Sequence, residues 1–177
     1  MNLRSLLTPL AVALVPIVAS VAPAGAVQAE DPLVITCTAS ATQYYDPGLT
    51  LTDRPTRISA SAAYSCVGAG AVNSALLSFD YTVDAGCLPT TSPVTTGVTR
   101  LDWNQGADSE ITSTFVVTRP VGQTVATTIG TVTSGQFAGY IVNQTGVYPA
   151  PDLLACAAPG GVTSSQGILS LTLTQPF

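Results

Sequence analysis

The densest cluster of polar side chains in this sequence lies between residues 102 and 110, in the segment Asp102-Trp103-Asn104-Gln105-Gly106-Ala107-Asp108-Ser109-Glu110. Carboxylate and amide oxygens crowded in this way could coordinate Ca²⁺. The spacing is not that of a helix–loop–helix calcium site, and the exposed tip of a hairpin would contain the same residue types. We therefore predict a solvated turn here, with no metal ion.

Paired carboxylates are the second arrangement that could do chemistry, because glycoside hydrolysis needs only an acid and a base or nucleophile. Asp80 with Asp84, and Asp102 with Glu110, are the candidate pairs. Asp80 lies on the outward face of its predicted strand, and neither pair belongs to a recognisable motif. A carboxylate-only glycoside hydrolase is therefore the second alternative function.

The chain contains no histidine and no lysine. Without histidine there is no Ser-His-Asp triad, no Cys-His pair and no imidazole metal ligand. Without lysine there is neither a Schiff base nor a phosphate-loop lysine. We expect a protein that is not an enzyme and that has no cofactor.

Exposed aromatic rings would favour a carbohydrate-binding module, which is the first alternative function. Tyr44 and Tyr45 are adjacent within a predicted loop, residues 43–55, where both rings cannot easily be buried. They are the candidate ligand-binding residues. Trp103 shares the face of its predicted strand with Leu101, so we expect it in the core.

The N-terminal segment has the layout of a secretory signal peptide. After a basic start, an apolar stretch runs from Leu6 to Val21, and small residues lead to a cleavage site after Ala26 or Ala29. We therefore predict a signal peptide over 1–29 that is removed, and a single secreted, extracellular domain over 30–177.

The predicted mature domain is acidic, since the chain beyond residue 29 contains ten carboxylates and four arginines, which give a net charge of −6. Nucleic acids and anionic membranes are bound through cationic patches, so we expect neither as a partner. The remaining candidate partners are an extracellular glycan and a protein. Together these features predict a non-catalytic extracellular domain that binds a partner or associates with a surface.

Apolar residues recur with a period of two, which predicts an all-β fold. The clearest example is Arg57–Cys66, where Ile58 and Tyr64 share one face and Ser59 and Ser65 the other. Longer irregular loops are predicted over 43–55 and 87–96. The predicted strands are Leu33–Ser40, Arg57–Cys66, Ala75–Val83, Gly97–Asn104, Glu110–Arg119, Gln123–Thr133, Gln136–Asn143 and Gly167–Thr174.

Eight short strands with regularly spaced turns fit either a two-sheet sandwich or a closed barrel. The inward faces combine large residues such as Phe79 with small ones such as Ala60 and Ala62, which suits two interdigitating sheets. We therefore predict an Ig-like two-sheet antiparallel sandwich. A membrane-embedded barrel is disfavoured, because few strands carry a lipid-facing apolar band.

Four cysteines in an exported domain should form two disulfides, with three possible connectivities. Cys37 and Cys66 fall in or at the end of predicted strands, whereas Cys87 and Cys156 fall in loop-like segments. A disulfide needs Cβ atoms about 4 Å apart, which two adjacent strands provide easily. We predict the pairs Cys37–Cys66 and Cys87–Cys156.

Several segments resemble those of a group of small secreted actinobacterial proteins, similar to those of Streptomyces. They are Tyr45–Thr52, Gly130–Gly135, Asp152–Cys156 and Pro159–Thr163. The resemblance covers most of the predicted mature chain. It implies export, a β-sandwich and paired cysteines, and it contributes no catalytic residues.

Overall fold

The computed structural model describes residues 34–88 and 95–176. The predicted signal peptide, residues 1–29, lies outside this part of the chain, and so does the segment 89–94 of the predicted loop 87–96. No helix in the described part is long and apolar enough to cross a membrane. The elements are β1 Val34–Leu49, β2 Arg54–Val67, β3 Ser74–Ala85, β4 Thr95–Trp103, β5 Ser109–Thr118, β6 Gln123–Ser134, β7 Ile141–Pro149, α1 Leu153–Ala157 and β8 Val162–Thr174.

The eight strands form one antiparallel sheet that closes into a barrel. Each strand pairs with the next along the chain, and β1 also pairs with β8 from Val34 opposite Thr174 to Tyr44 opposite Ser164. The prediction of an all-β fold is confirmed. The prediction of an Ig-like two-sheet sandwich is corrected to a closed barrel, because the long β1–β8 ladder joins the two ends of the sheet.

Two segments differ from the predicted elements. Strand β1 continues to Leu49, so most of the predicted loop 43–55 is paired strand. The bounds of the predicted strand Gln136–Asn143 are wrong, since β7 begins only at Ile141 and continues to Pro149. The backbone before it folds into a turn, in which Val132 N–H donates to Tyr140 O at 2.9 Å and Gly139 N–H donates to Val132 O at 2.8 Å.

One half of the barrel interior, which we call the closed half, is filled by side chains. It lies at the end where β1 begins and β2 ends. Trp103 lies there with 7% of its surface exposed, as predicted for a core residue. Its ring packs edge-on against Phe137 at 5.3 Å, and its indole N–H donates to Ser109 Oγ at 2.7 Å. Fully buried aliphatic residues complete this half: Ile35, Leu77, Leu101, Val132, Val142, Leu171 and Leu173.

Both disulfides have the predicted connectivity. Cys37 and Cys66 are direct partners in the β1–β2 ladder, in the closed half, with Cα atoms 4.0 Å apart. Cys87 follows β3 and joins Cys156 at the opposite end of the barrel, with Cα atoms 6.3 Å apart. Cys156 lies in the helix α1, not in a loop. Each end of the barrel therefore carries one covalent link.

Candidate functional site: the open half of the barrel

The other half of the barrel, the open half, contains a cavity of about 860 Å³. A second space of about 250 Å³ adjoins it deeper in the barrel. We call the two together the chamber. Residues that line both parts are Gln43, Tyr81, Thr95, Phe115, Ala126 and Tyr148.

The chamber exists because small residues occupy inward positions in the open half. Gly97 and Ala126 take such positions on β4 and β6, whose inward residues in the closed half are Leu101 and Val132, and a Cβ at Gly97 would have no other atom within 4 Å. A barrel of eight strands has an interior just wide enough for side chains to fill. Where those side chains are short, they do not meet across the barrel and a space remains.

One wall of the chamber is apolar and aromatic. The ring of Tyr81 lies 5.4 Å from Phe79 and 4.9 Å from Phe115, measured between centroids. Ile58, Val83 and further apolar side chains extend this wall toward the open end. Aromatic packing of this kind stabilises the wall, and both Tyr81 and Phe115 line the chamber.

The barrel wall is incompletely paired between β3 and β4. In the described part of the chain, Ala75–Ser78 pair with Arg100–Trp103, but β3 continues to Ala85 and β4 begins at Thr95. Side chains of both strands beside this unpaired stretch, including Phe79 and Thr99, line the deeper part of the chamber.

Polar side chains on β1 face the chamber from the other side. The hydroxyl of Tyr45 donates to Gln43 Oε1 at 3.1 Å. Burial raises the pKa of Tyr45, and a hydrogen bond to Ser165 partly opposes that rise. Gln43, Tyr45 and Ser165 therefore form a small hydrogen-bonded group within an otherwise apolar surface.

Three polar residues lie side by side at the open end, and we call them the polar row. Thr124 is the partner of Tyr148 in the β6–β7 ladder. Arg119 directly follows Thr118, whose partner is Val125, so the register places Arg119 opposite Thr124. Neighbouring strands are about 4.8 Å apart, so the three side chains are close neighbours on the chamber wall.

Each member of the polar row has a buried polar atom without a hydrogen-bond partner among the described residues. These atoms are Nε of Arg119, Oγ1 of Thr124 and the hydroxyl oxygen of Tyr148. A hydrogen bond with the Gln43 side chain acts to lower the pKa of the Tyr148 hydroxyl, although the two groups are not in ordinary hydrogen-bond geometry. An unsatisfied buried polar group costs about 1–3 kcal/mol. A ligand or water atom that paired with these three would therefore be stabilising.

Two glycines allow the ring of Tyr148 to lie against the wall. A Cβ at Gly167 would come within 2.3 Å of Tyr148 Cδ1, and one at Gly146 within 3.0 Å of its Cε2. Burial, followed by the nearby Tyr45, raises the pKa of Tyr148 to about 12. At neutral pH this phenol is therefore protonated and can donate a hydrogen bond.

The guanidinium of Arg119 is held at the open end by the backbone. Its NH1 donates to the carbonyl of Leu88 at 2.5 Å, one residue after the disulfide-linked Cys87. Burial lowers the pKa of Arg119, whereas Tyr45 and Asp53 act in the opposite direction. Arginine nevertheless stays charged near neutral pH. The ion pairs between described residues are those of Arg57 and Arg100.

The structure does not bring the sequence-predicted aromatic residues into one platform. Tyr44 and Tyr45 lie in strand β1, not in a loop, and successive strand residues point to opposite faces. The Tyr44 side chain is outside the barrel with 58% of its surface exposed. Tyr45 faces the chamber. A sugar therefore could not stack on both rings.

The carboxylates singled out by the sequence are exposed or half-buried, and Asp80 and Asp84 border the chamber. Asp80 pairs with Arg57 on the neighbouring strand, as expected for an outward residue. Asp102 accepts from Arg100 Nε at 2.5 Å, and Asp108 pairs with the same guanidinium. Within residues 34–88 and 95–176, no group of three metal-ligating side chains is close enough to hold an ion.

Sequence reasoning missed the polar row and most of the chamber. Small or polar residues at inward positions near the open ends of the strands were the available signal, as at Thr124 and Ala126. Comparison with protein-family models, curated proteins and solved structures found no match for this chain. The resemblance to secreted actinobacterial proteins therefore stays a prediction.

Proposed function

We propose that this chain is a non-catalytic extracellular binding protein that holds one small, largely apolar molecule in the chamber. The main support for this proposal is the chamber, since its larger part has a volume of about 860 Å³ and adjoins a closed half that is filled by side chains. Binding sites for small molecules are typically concave, mostly apolar, and about 300–1,000 Å³ in volume.

The lining residues support an apolar ligand with a few polar groups. Tyr81 and Phe115 offer ring faces, and Val83 and Val117 add aliphatic surface. Polar atoms are concentrated on β1 and on the polar row. Such a division fixes the orientation of a bound molecule while the apolar wall provides most of the affinity.

Export is part of the proposal. Two disulfides and an absence of free cysteines among the described residues fit an oxidising compartment. The covalent link between Cys87 and Cys156 also fixes the backbone beside Arg119, at the rim of the chamber. A binding protein outside the cell benefits from a rim that does not open by local unfolding.

A neutral fluorescent probe, N-phenyl-1-naphthylamine, tests the proposal. We expect its emission to rise in a saturable way when it binds the wild-type protein. Ala126→Trp places a large ring at a position that lines both parts of the chamber, so it should weaken binding at least tenfold.

Thr127→Trp is the matched control, because it adds the same ring to the outer face of the same strand. We expect its affinity for the probe to equal that of the wild type. Absence of probe binding by the wild type, or equal weakening by both substitutions, would contradict a ligand chamber inside the barrel.

A further inference from the structure

The polar row is arranged to receive one acidic group. Of the buried side-chain atoms that lack a hydrogen-bond partner in the described part of the chain, three belong to Arg119, Thr124 and Tyr148 on adjacent strands. Arg119 Nε–H can only donate, and the hydroxyls of Thr124 and Tyr148 can each donate. Three donors side by side, one of them cationic, match an anionic acceptor with more than one oxygen.

We propose that the ligand of the chamber carries a carboxylate, which Arg119, Thr124 and Tyr148 bind together. This inference rests on the proposed function and specifies the ligand class: an organic acid with an apolar, partly aromatic body. The body lies against Tyr81 and Phe115, and the carboxylate lies at the open end.

The position of Arg119 favours an acid over a neutral polar group. Its side chain lines the chamber, NH1 is occupied by Leu88 O, and Nε is buried without a hydrogen-bond partner among the described residues. Arginine binds a carboxylate through its planar fork, and charge-assisted bonds of this kind are about twice as strong as neutral ones.

Because the Tyr148 hydroxyl is buried, a hydrogen bond from it to a ligand should contribute more to affinity than one from an exposed hydroxyl. Tyr148 is 97% buried, since only 3% of its surface is exposed, and two glycines are needed to seat its ring. An exposed hydroxyl would be satisfied by bulk water, whereas this one is removed from it. A carboxylate that reached the polar row would replace three unsatisfied atoms with three hydrogen bonds in a single step.

Calorimetric titration with two matched ligands tests the inference: 1-naphthaleneacetate and its amide, 1-naphthaleneacetamide. They share the aromatic body and differ in the charge of the head group. We expect the wild-type protein to bind the acid at least tenfold more tightly at neutral pH. Arg119→Gln should abolish that preference, because the acid should lose far more affinity than the amide.

Arg100→Gln is the control, because it removes the same charge from the outer face of β4. It should leave both affinities unchanged. Thr124→Val and Tyr148→Phe each delete one hydroxyl with little change of shape, and each should weaken binding of the acid several-fold. In the ligand-free protein Thr124→Val should not lower Tm, since its hydroxyl has no hydrogen-bond partner among the described residues.

Three results would overturn the inference: equal affinity of the wild type for acid and amide, a preference that survives Arg119→Gln, or a lower Tm of both hydroxyl variants with unchanged acid affinity. The last would mean that the polar row is a structural network. Failure here is distinguishable from failure of the proposed function. If N-phenyl-1-naphthylamine binds and the acid is not preferred, the chamber stands and only the carboxylate site falls.

Discussion

A pair of identical substitutions measures whether the two halves of the barrel differ as described. Val132→Ala removes two methyl groups from the closed half, where Val132 has 1% of its surface exposed. Burial of each such group contributes about 0.8 kcal/mol, and the resulting void adds a further loss. We expect the free energy of unfolding to fall by about 2–3 kcal/mol.

Val117→Ala removes the same two groups from the wall of the chamber. These methyl groups already face open space, so little packing is lost and no new void is created. We expect a loss below about 1 kcal/mol. Both sites lie in strands, so the intrinsic cost of replacing valine with alanine is similar and cancels in the difference.

Urea unfolding followed by the fluorescence of Trp103 provides the assay, because this residue is the only tryptophan and lies in the closed half. Equal losses for the two variants would show that the open half is packed as tightly as the closed half. That result would refute the existence of the chamber in solution.

Two further predictions concern the covalent link and the surface charges. Replacing Cys87 and Cys156 together by alanine should lower the free energy of unfolding by up to about 4 kcal/mol, from the loop entropy for a separation of 69 residues. It should also weaken acid binding, because Leu88 beside Arg119 is no longer held in place. Chemical unfolding measures the first effect, and calorimetric titration of the folded protein with the acid measures the second. Arg57 holds the pKa of Asp80 below its ordinary value, chiefly through their hydrogen bond. The stabilisation from this pair is therefore present above the ordinary carboxyl pKa and is lost as the pH falls through the lowered one. An NMR titration should show the Asp80 pKa rising in Arg57→Gln, and an unchanged value would contradict the pairing.

Two of the strands were predictable from sequence because their side chains alternate strictly. Arg57–Cys66 and Gly167–Thr174 both show apolar residues at every second position, and both lie within observed strands. The disulfide connectivity followed from the same patterns, since Cys37 and Cys66 fall on strands that are neighbours along the chain. The local alternation of side chains is therefore enough to predict these strands and the disulfide pairing, whatever the rest of the fold.

Closure and the chamber were not predictable in the same way. Closure depends on the pairing of β1 with β8, which are far apart in sequence, and one-sided strands fit a sandwich equally well. In the open half, inward positions are taken by Gln43, Tyr45 and Thr124, which break the apolar alternation. The predicted loop 43–55 was wrong for this reason, because chamber-lining residues look like loop residues.

The most direct test of the central claim is an NMR map of where a ligand binds. Methyl signals of the wild-type protein would be recorded before and after addition of N-phenyl-1-naphthylamine. We expect shifts at Val83, Val117 and Ala126, which line the chamber, and none at Leu101, Val132 and Leu173 of the closed half, which line neither part of it. Shifts confined to exposed outer methyl groups such as those of Ile129 and Ile168 would contradict binding inside the barrel.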